Sequence, residues 1–231
     1  MTMAMKYCVV NADDFGMSRG INHGILEAHQ RGIVTSTSLI VNMPFSLEAA
    51  ILGRTVPEMS VGLHVNLTGE SADPAAAVSD FVDYRLELEQ QLRCFRRLMG
   101  CLPTHLDAHQ NVHRDPRLLP LFLELAGRYE FPLRGYSGVR YFSSFYGQWD
   151  DGETHLEQIS VESLSQMLET EFGEGITELS CHPGYVDEGF PSFYCREREA
   201  ELQTLSDPSI KRKIAELGIQ LISFREVRAR G

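Results

Sequence analysis

Cysteine is scarce and carries no metal-binding or redox spacing: five among 231 residues, with no Cys-x-x-Cys pair. An odd, scattered set argues against a disulfide framework and a zinc-thiolate cluster. It fits a reduced cytoplasmic protein with buried thiols. No apolar run is long enough to cross a bilayer, and Met1 to Cys8 shows no basic segment ahead of a long apolar one. Neither stable membrane insertion nor a secretory leader is therefore expected. Positive charge is also short, with 21 Lys and Arg against 32 Asp and Glu, a formal net charge of -11. An acidic surface repels phosphate backbones, which argues against nucleic acid as a partner.

What is present is an ordinary globular composition, 43% hydrophobic and 23% charged. The length suits one domain over 1–231 with a substantial core. Short apolar runs alternate with amphipathic stretches. Strands are predicted at 7–10, 36–41, 59–67, 104–108, 132–134, 176–182 and 219–222. Helices are predicted from a Ser18 N-cap to Arg31-Gly32, from Pro44 to about Arg54, at 86–98, 116–128 and 161–172, and through most of 194–228. Residues 69–80 read as a loop, and 131–155, dense in Gly, Ser, Tyr and Phe, as a strand followed by a long lid or wall. Alternating strands and helices indicate a parallel sheet, best read as an incomplete, distorted (β/α) barrel. An open doubly wound sheet is the competitor.

The polar residues share one placement. Asp13-Asp14, His64, His109 with His113, and His182 all follow or end predicted strands. Parallel strands run the same way, so these groups would meet at one rim. Adjacent carboxylates repel, and a cation relieves that repulsion. A pair at the frayed end of an apolar strand can turn both side chains to the rim. A lone strand histidine such as His64 is more often a packed core residue, but here it has company. His109 and His113 have the spacing of one helical turn, yet the segment reads as a strand-to-loop junction; either both bind, or one binds while the other holds substrate. One Asp and two His form a mixed oxygen and nitrogen set with open positions. That suits one divalent ion, zinc and also iron, cobalt, manganese or nickel, in a catalytic role. His182, before Pro183-Gly184, is a natural general acid with a pKa near neutrality.

These strings also carry a resemblance. Val10-Asn11-Ala12-Asp13-Asp14-Phe15-Gly16-Met17-Ser18, Gly32-Ile33-Val34-Thr35-Ser36-Thr37-Ser38, Gly62-Leu63-His64, Thr104-His105-Leu106-Asp107-Ala108-His109 and Cys181-His182-Pro183 occur in order. Together they resemble the YdjC family of carbohydrate deacetylases. The resemblance implies a distorted (β/α) barrel like that of polysaccharide deacetylases. It implies metal ligands at Asp14, His64 and His109, with zinc or magnesium as the ion. It also implies a general base at Asp13 and a proton donor at His182. Asp107 would orient a histidine, Arg134 would pair with Asp13, and His113 would stand near substrate. A homodimer stays open. The sequence departs at Gln110-Asn111-Val112, where family members often carry a denser histidine run.

The implied reaction is removal of an acetyl group from an N-acetylated sugar, such as an N-acetylglucosamine oligosaccharide or glycolipid. The rivals are an amidase or esterase acting on a non-sugar, and a sugar-binding protein without turnover. The rings of Tyr136, Tyr141, Phe142, Phe145, Tyr146 and Trp149 could stack on sugar faces, with core filling expected for at least half of them.

Overall fold

The fold is described from a computed structural model covering residues 5–69, 78–79, 82–149, 152–188 and 192–230. Most of the predicted 69–80 loop lies outside the described residues. Seven strands form one sheet: β1 (Lys6–Phe15), β2 (Ser36–Leu39), β3 (Ser60–Val65), β4 (Leu106–Ala108), β5 (Arg140–Phe142), β6 (Gly175–Cys181) and β7 (Ile219–Leu221). Their order is β4-β3-β2-β1-β6-β5, with β7 beside the start of β1, and every pairing is parallel. The sheet curls into a half-barrel. No ladder among the described residues joins β4 to β5.

The intervening helices are α1 (Arg19–Gln30), α2 (Ser46–Thr55), α3 (Tyr84–Met99), α4 (Leu119–Tyr129) and α5 (Val161–Thr170). Then come α6 (Arg196–Ser206), α7 (Pro208–Glu216) and α8 (Phe224–Arg230). Their starts follow local chemistry. The Ser18 side chain accepts the Ile21 amide at 3.2 Å, and Asp83 accepts that of Leu86 at 3.1 Å. Gly100, at φ 75°, ends α3 in the left-handed conformation that costs glycine little. Beside a smaller cluster of Val9, Val139, Ile222, Phe224 and Val227, the main apolar core runs between sheet and helices, with Phe15, Phe95 and Phe122 fully buried. Each such ring contributes about 1.5–3 kcal/mol.

Two expectations need correction. The strand at 132–134 shrinks to a single bridge, Leu133 to Leu106, because Pro132 has no amide to extend a ladder. The pairing strand of that region is β5, which lies inside the stretch read as loop. In addition, β1 does not fray before the Asp pair but continues to Phe15. Ala12 pairs with Thr37 and Phe15 with Leu39, so β1 carries one extra residue, a bulge. Asp14 sits there at φ 70°.

Candidate active site and metal centre

The bulge decides where the two carboxylates point. Asn11 and Asp13 share one face by strand alternation, and Asn11 Nδ2 donates to Asp13 Oδ1 at 2.8 Å. Asp14 would face away on a regular strand. Its left-handed backbone turns it instead towards His109 Nδ1 (3.0 Å) and His64 Nε2 (3.4 Å). Ligand atoms of Asp14, His64 and His109 lie within 4.8 Å of one another, all buried.

His64 comes from β3. Its Nδ1 lies 2.7 Å from Asp107 Oδ1 on the neighbouring β4. A carboxylate behind one ring nitrogen orients the imidazole and aims Nε2 at the site. Burial alone would lower the His64 pKa, but the charges of Asp107 and Asp13 raise it to about 10. This is a surrounding that attracts a cation. Burial would raise Asp14, yet the charges of Arg198 and His109 hold it well below the usual carboxylate range. Two imidazoles and an ionised carboxylate fit a divalent ion of the zinc or first-row type.

Asp13, His64 and Asp107 form a second close set. A guanidinium already stands there. Arg134 Nη2 is 2.7 Å from Asp13, 3.0 Å from Asp107 and 2.7 Å from Glu178. Its Nη1 also donates to Asp13 Oδ2 at 2.7 Å, so the pair is bidentate. Burial favours a protonated Asp13, but the Arg134 charge overrides it and keeps the carboxyl below its ordinary value.

His182 follows β6. Its Nε2 is 3.9 Å from Asp13 Oδ2, and 22% of its side chain is exposed. The expected near-neutral pKa does not hold: desolvation pushes it down to about 4, against the pull of Asp13 and Asp14. Its resting imidazole is neutral. His113 is not among the residues that line the site cavity. Gln110 and Asn111 take left-handed backbone angles, which break the helical spacing from His109. His113 is fully buried, with Phe122 and Tyr136 as ring neighbours.

Asp13, Asp14, His64, His109 and His182 line one cavity of about 560 Å³. The 131–155 segment forms a wall of it through Tyr141, Phe145 and Tyr146. Phe142 packs on Phe172 instead, and Trp149 stacks on His155. A concavity of similar size beside Arg93, Arg96 and Arg97 has no imidazole or carboxylate in its lining, so the chemistry belongs to the first.

Three contributors escaped the sequence reading. Glu178 alternates with Ser180 and His182 along one line, a period-two signal that pointed inward. Arg198 donates to Asp14 Oδ2 at 2.7 Å, and Glu201 lies behind His182. Both belong to the charged run 196–201. Yet Arg198, Glu201, Leu202 and Leu205 are all buried, at helical spacing, so the charges extend an apolar stripe.

The parallel half-barrel that carries this cluster is a fold found in solved structures. Residues 7–216 match the YdjC-like protein family, and the chain belongs to that family. A carbohydrate deacetylase of Geobacillus stearothermophilus is 39% identical, over 96% of this chain and 98% of that one. A chitooligosaccharide deacetylase of Klebsiella pneumoniae is 34% identical, over 96% and 99%. A solved structure from Enterococcus faecalis V583, named for cellobiose-phosphate cleavage, superposes with TM-score 0.78 at 27% identity, covering 97% and 99%. A family 4 carbohydrate esterase of Streptomyces lividans, solved with acetate, shares the fold at TM-score 0.58 and 14% identity, covering 94% and 92%.

Proposed function

We propose that this chain is a metal-dependent carbohydrate deacetylase that hydrolyses the N-acetyl amide of an amino sugar. The observation that carries the reading is the joint placement of Asp13, His182 and the Asp14-His64-His109 cluster on one cavity. Its relatives named carbohydrate and chitooligosaccharide deacetylases support the sugar as substrate class.

Asp14, His64 and His109 would hold one divalent ion, zinc or magnesium in first place, with manganese, cobalt or nickel as alternatives. When bound, it supplies Lewis acidity for the acetyl carbonyl and acidifies water. Asp13 is the general base: it takes a proton from the attacking water. Arg134 and Asn11 fix its orientation, and its low pKa lets it give the proton up again. His182 hands a proton to the sugar nitrogen as the C–N bond breaks, leaving acetate and an amine. Tyr141 and Tyr146 offer faces on which a sugar ring can lie.

The five free cysteines support a reducing, cytoplasmic setting. No helix of the described residues is long and apolar enough to cross a membrane. We take 1–231 to act as one domain, with self-association into a homodimer left to measurement.

The test is acetate release from N-acetylated sugars, including diacetylchitobiose and its phosphate, by protein stripped of metal and reloaded with single ions. Ion-dependent acetate from a sugar, with none from simple amides or esters, is the expected result. Turnover only of non-sugar amides or esters would transfer the site to the amidase reading. Sugar binding without turnover under every ion would make it a binding protein.

A further inference from the structure

We propose that Glu201 is the proton partner of His182: its carboxyl protonates Nδ1 as Nε2 releases a proton to the departing nitrogen. This rests on the deacetylase reading above and extends it to a residue outside the cavity lining.

Glu201 is fully buried on α6. Its Oε2 accepts the His182 backbone amide at 2.5 Å, and its Oε1 accepts the Tyr194 hydroxyl at 2.5 Å. That second oxygen lies 3.9 Å from His182 Nδ1. This nitrogen is buried and has no hydrogen-bond partner among the described residues. A buried, unpaired ring nitrogen costs free energy at rest, and such a group calls for a role. The imidazole lies edge-on to the rings of Tyr146 and Tyr194, which stack on each other at 4.6 Å. A turn of the ring that shortens the Nδ1–Oε1 distance by about 1 Å makes a hydrogen bond.

The surroundings set the resting protons. Facing His182 are Asp13 and Asp14 from β1, Arg134 and Tyr146 from the 131–155 segment, Tyr194, and Arg198 and Glu201 from α6. Desolvation leaves the imidazole neutral, with its pKa near 4. A neutral ring can give up its Nε2 proton only if Nδ1 gains one together with it. Burial raises Glu201 to about 8, so its carboxyl holds a proton at neutral pH.

The protons balance. The water oxygen bonds to the acetyl carbon and one water proton goes to Asp13. As the C–N bond breaks, the Nε2 proton goes to nitrogen and the Glu201 proton to Nδ1. Asp13 then returns the water proton to Nε2, across the 3.9 Å between them, and Nδ1 returns its own to Glu201. The remaining water proton leaves with the acetic acid and ends on the amine or in solvent.

Glu201 acts through His182, so it is a positioning residue and its test must isolate that path. With metal-loaded enzyme and diacetylchitobiose, Glu201→Gln lowers kcat about 10- to 100-fold with KM within about twofold. Wild-type kcat falls as pH rises through about 8, where Glu201 loses its proton, and the variant lacks that limb. In a His182→Ala background, Glu201→Gln costs nothing further. Wild-type kcat in the single variant, or an equal loss in both backgrounds, overturns the relay. Absence of wild-type turnover on every sugar would instead sink the deacetylase reading. The resting state is checked without turnover and without a variant. Nitrogen-15 spectra of histidine-labelled wild-type protein at neutral pH show His182 protonated on Nε2 alone. A proton on Nδ1, singly or in an imidazolium, overturns the proposal.

Discussion

Asp13 and Asp14 are chain neighbours with different partners: Arg134 engages both oxygens of the first, and Arg198 one oxygen of the second. The difference separates their expected losses. Asp13→Asn keeps the Asp14-His64-His109 donors, so metal content stays at wild type while kcat drops about 100- to 10,000-fold. His64→Ala loses both metal and turnover. Elemental analysis beside acetate release distinguishes the two, and full activity in Asp13→Asn would end the base assignment. Glu178 supports a pH prediction. Burial raises its pKa to about 7 even with Arg134 alongside. A carboxyl raised on folding keeps its proton longer in the native state than in the unfolded chain. Its ionisation therefore favours unfolding as pH climbs from about 4.5 to about 7, by at most about 1.4 kcal/mol per pH unit. Denaturant titrations across that window should show wild-type stability falling relative to Glu178→Gln. Parallel curves would mean Glu178 is ionised throughout.

Elements place these residues by features that single positions conceal. The motif around Asp13-Asp14 was legible as a candidate cation site, but the bulge that turns Asp14 inward was not. Bulges arise from pairing, here of β1 with β2, and pairing is non-local. Three carboxylates and two arginines dominate 196–201, a composition typical of a solvated face. Burial of Arg198 and Glu201 needs partners on β1 and behind His182, which local periodicity does not reveal. Gly24 shows a similar conflict. Alanine in a helix is favoured over glycine by about 1 kcal/mol. A Cβ at Gly24, however, would lie 2.5 Å from the Gly184 Cα, in the turn that follows His182. Gly24→Ala should thus destabilise the protein by about 1–3 kcal/mol and lower kcat by displacing His182. Denaturant melts and acetate release check it; a stabilised, fully active variant would show the contact to be loose.

Across the whole molecule, metal and fold should be linked, because the three donors come from β1, the end of β3 and the segment after β4. Unfolding separates them, so an ion bound only by the native state stabilises it, by about 2.7 kcal/mol at a hundredfold excess over Kd. Chelation should lower the melting temperature, and readdition of the ion should restore it. In His64→Ala the response should vanish. An unchanged wild-type melt on chelation, with metal loss verified, would mean the cluster binds no ion that the fold depends on. The parallel half-barrel was legible in the alternation of apolar runs and amphipathic helices, and the ordered motifs named the family. Where sequence reading missed, the cause was again non-local. β5 is three residues long and is defined by its pairing with β6, far off in the chain. The chain by itself determined which residue types stand at strand ends, and with them the chemistry on offer, since alternation and parallel order are local consequences of the residues. Only the tertiary structure decided which of those groups face one another and what charge each carries. The Asp14 bulge, the Arg134 and Arg198 clamps, and a neutral His182 backed by Glu201 all depend on distance and desolvation between segments far apart in the chain.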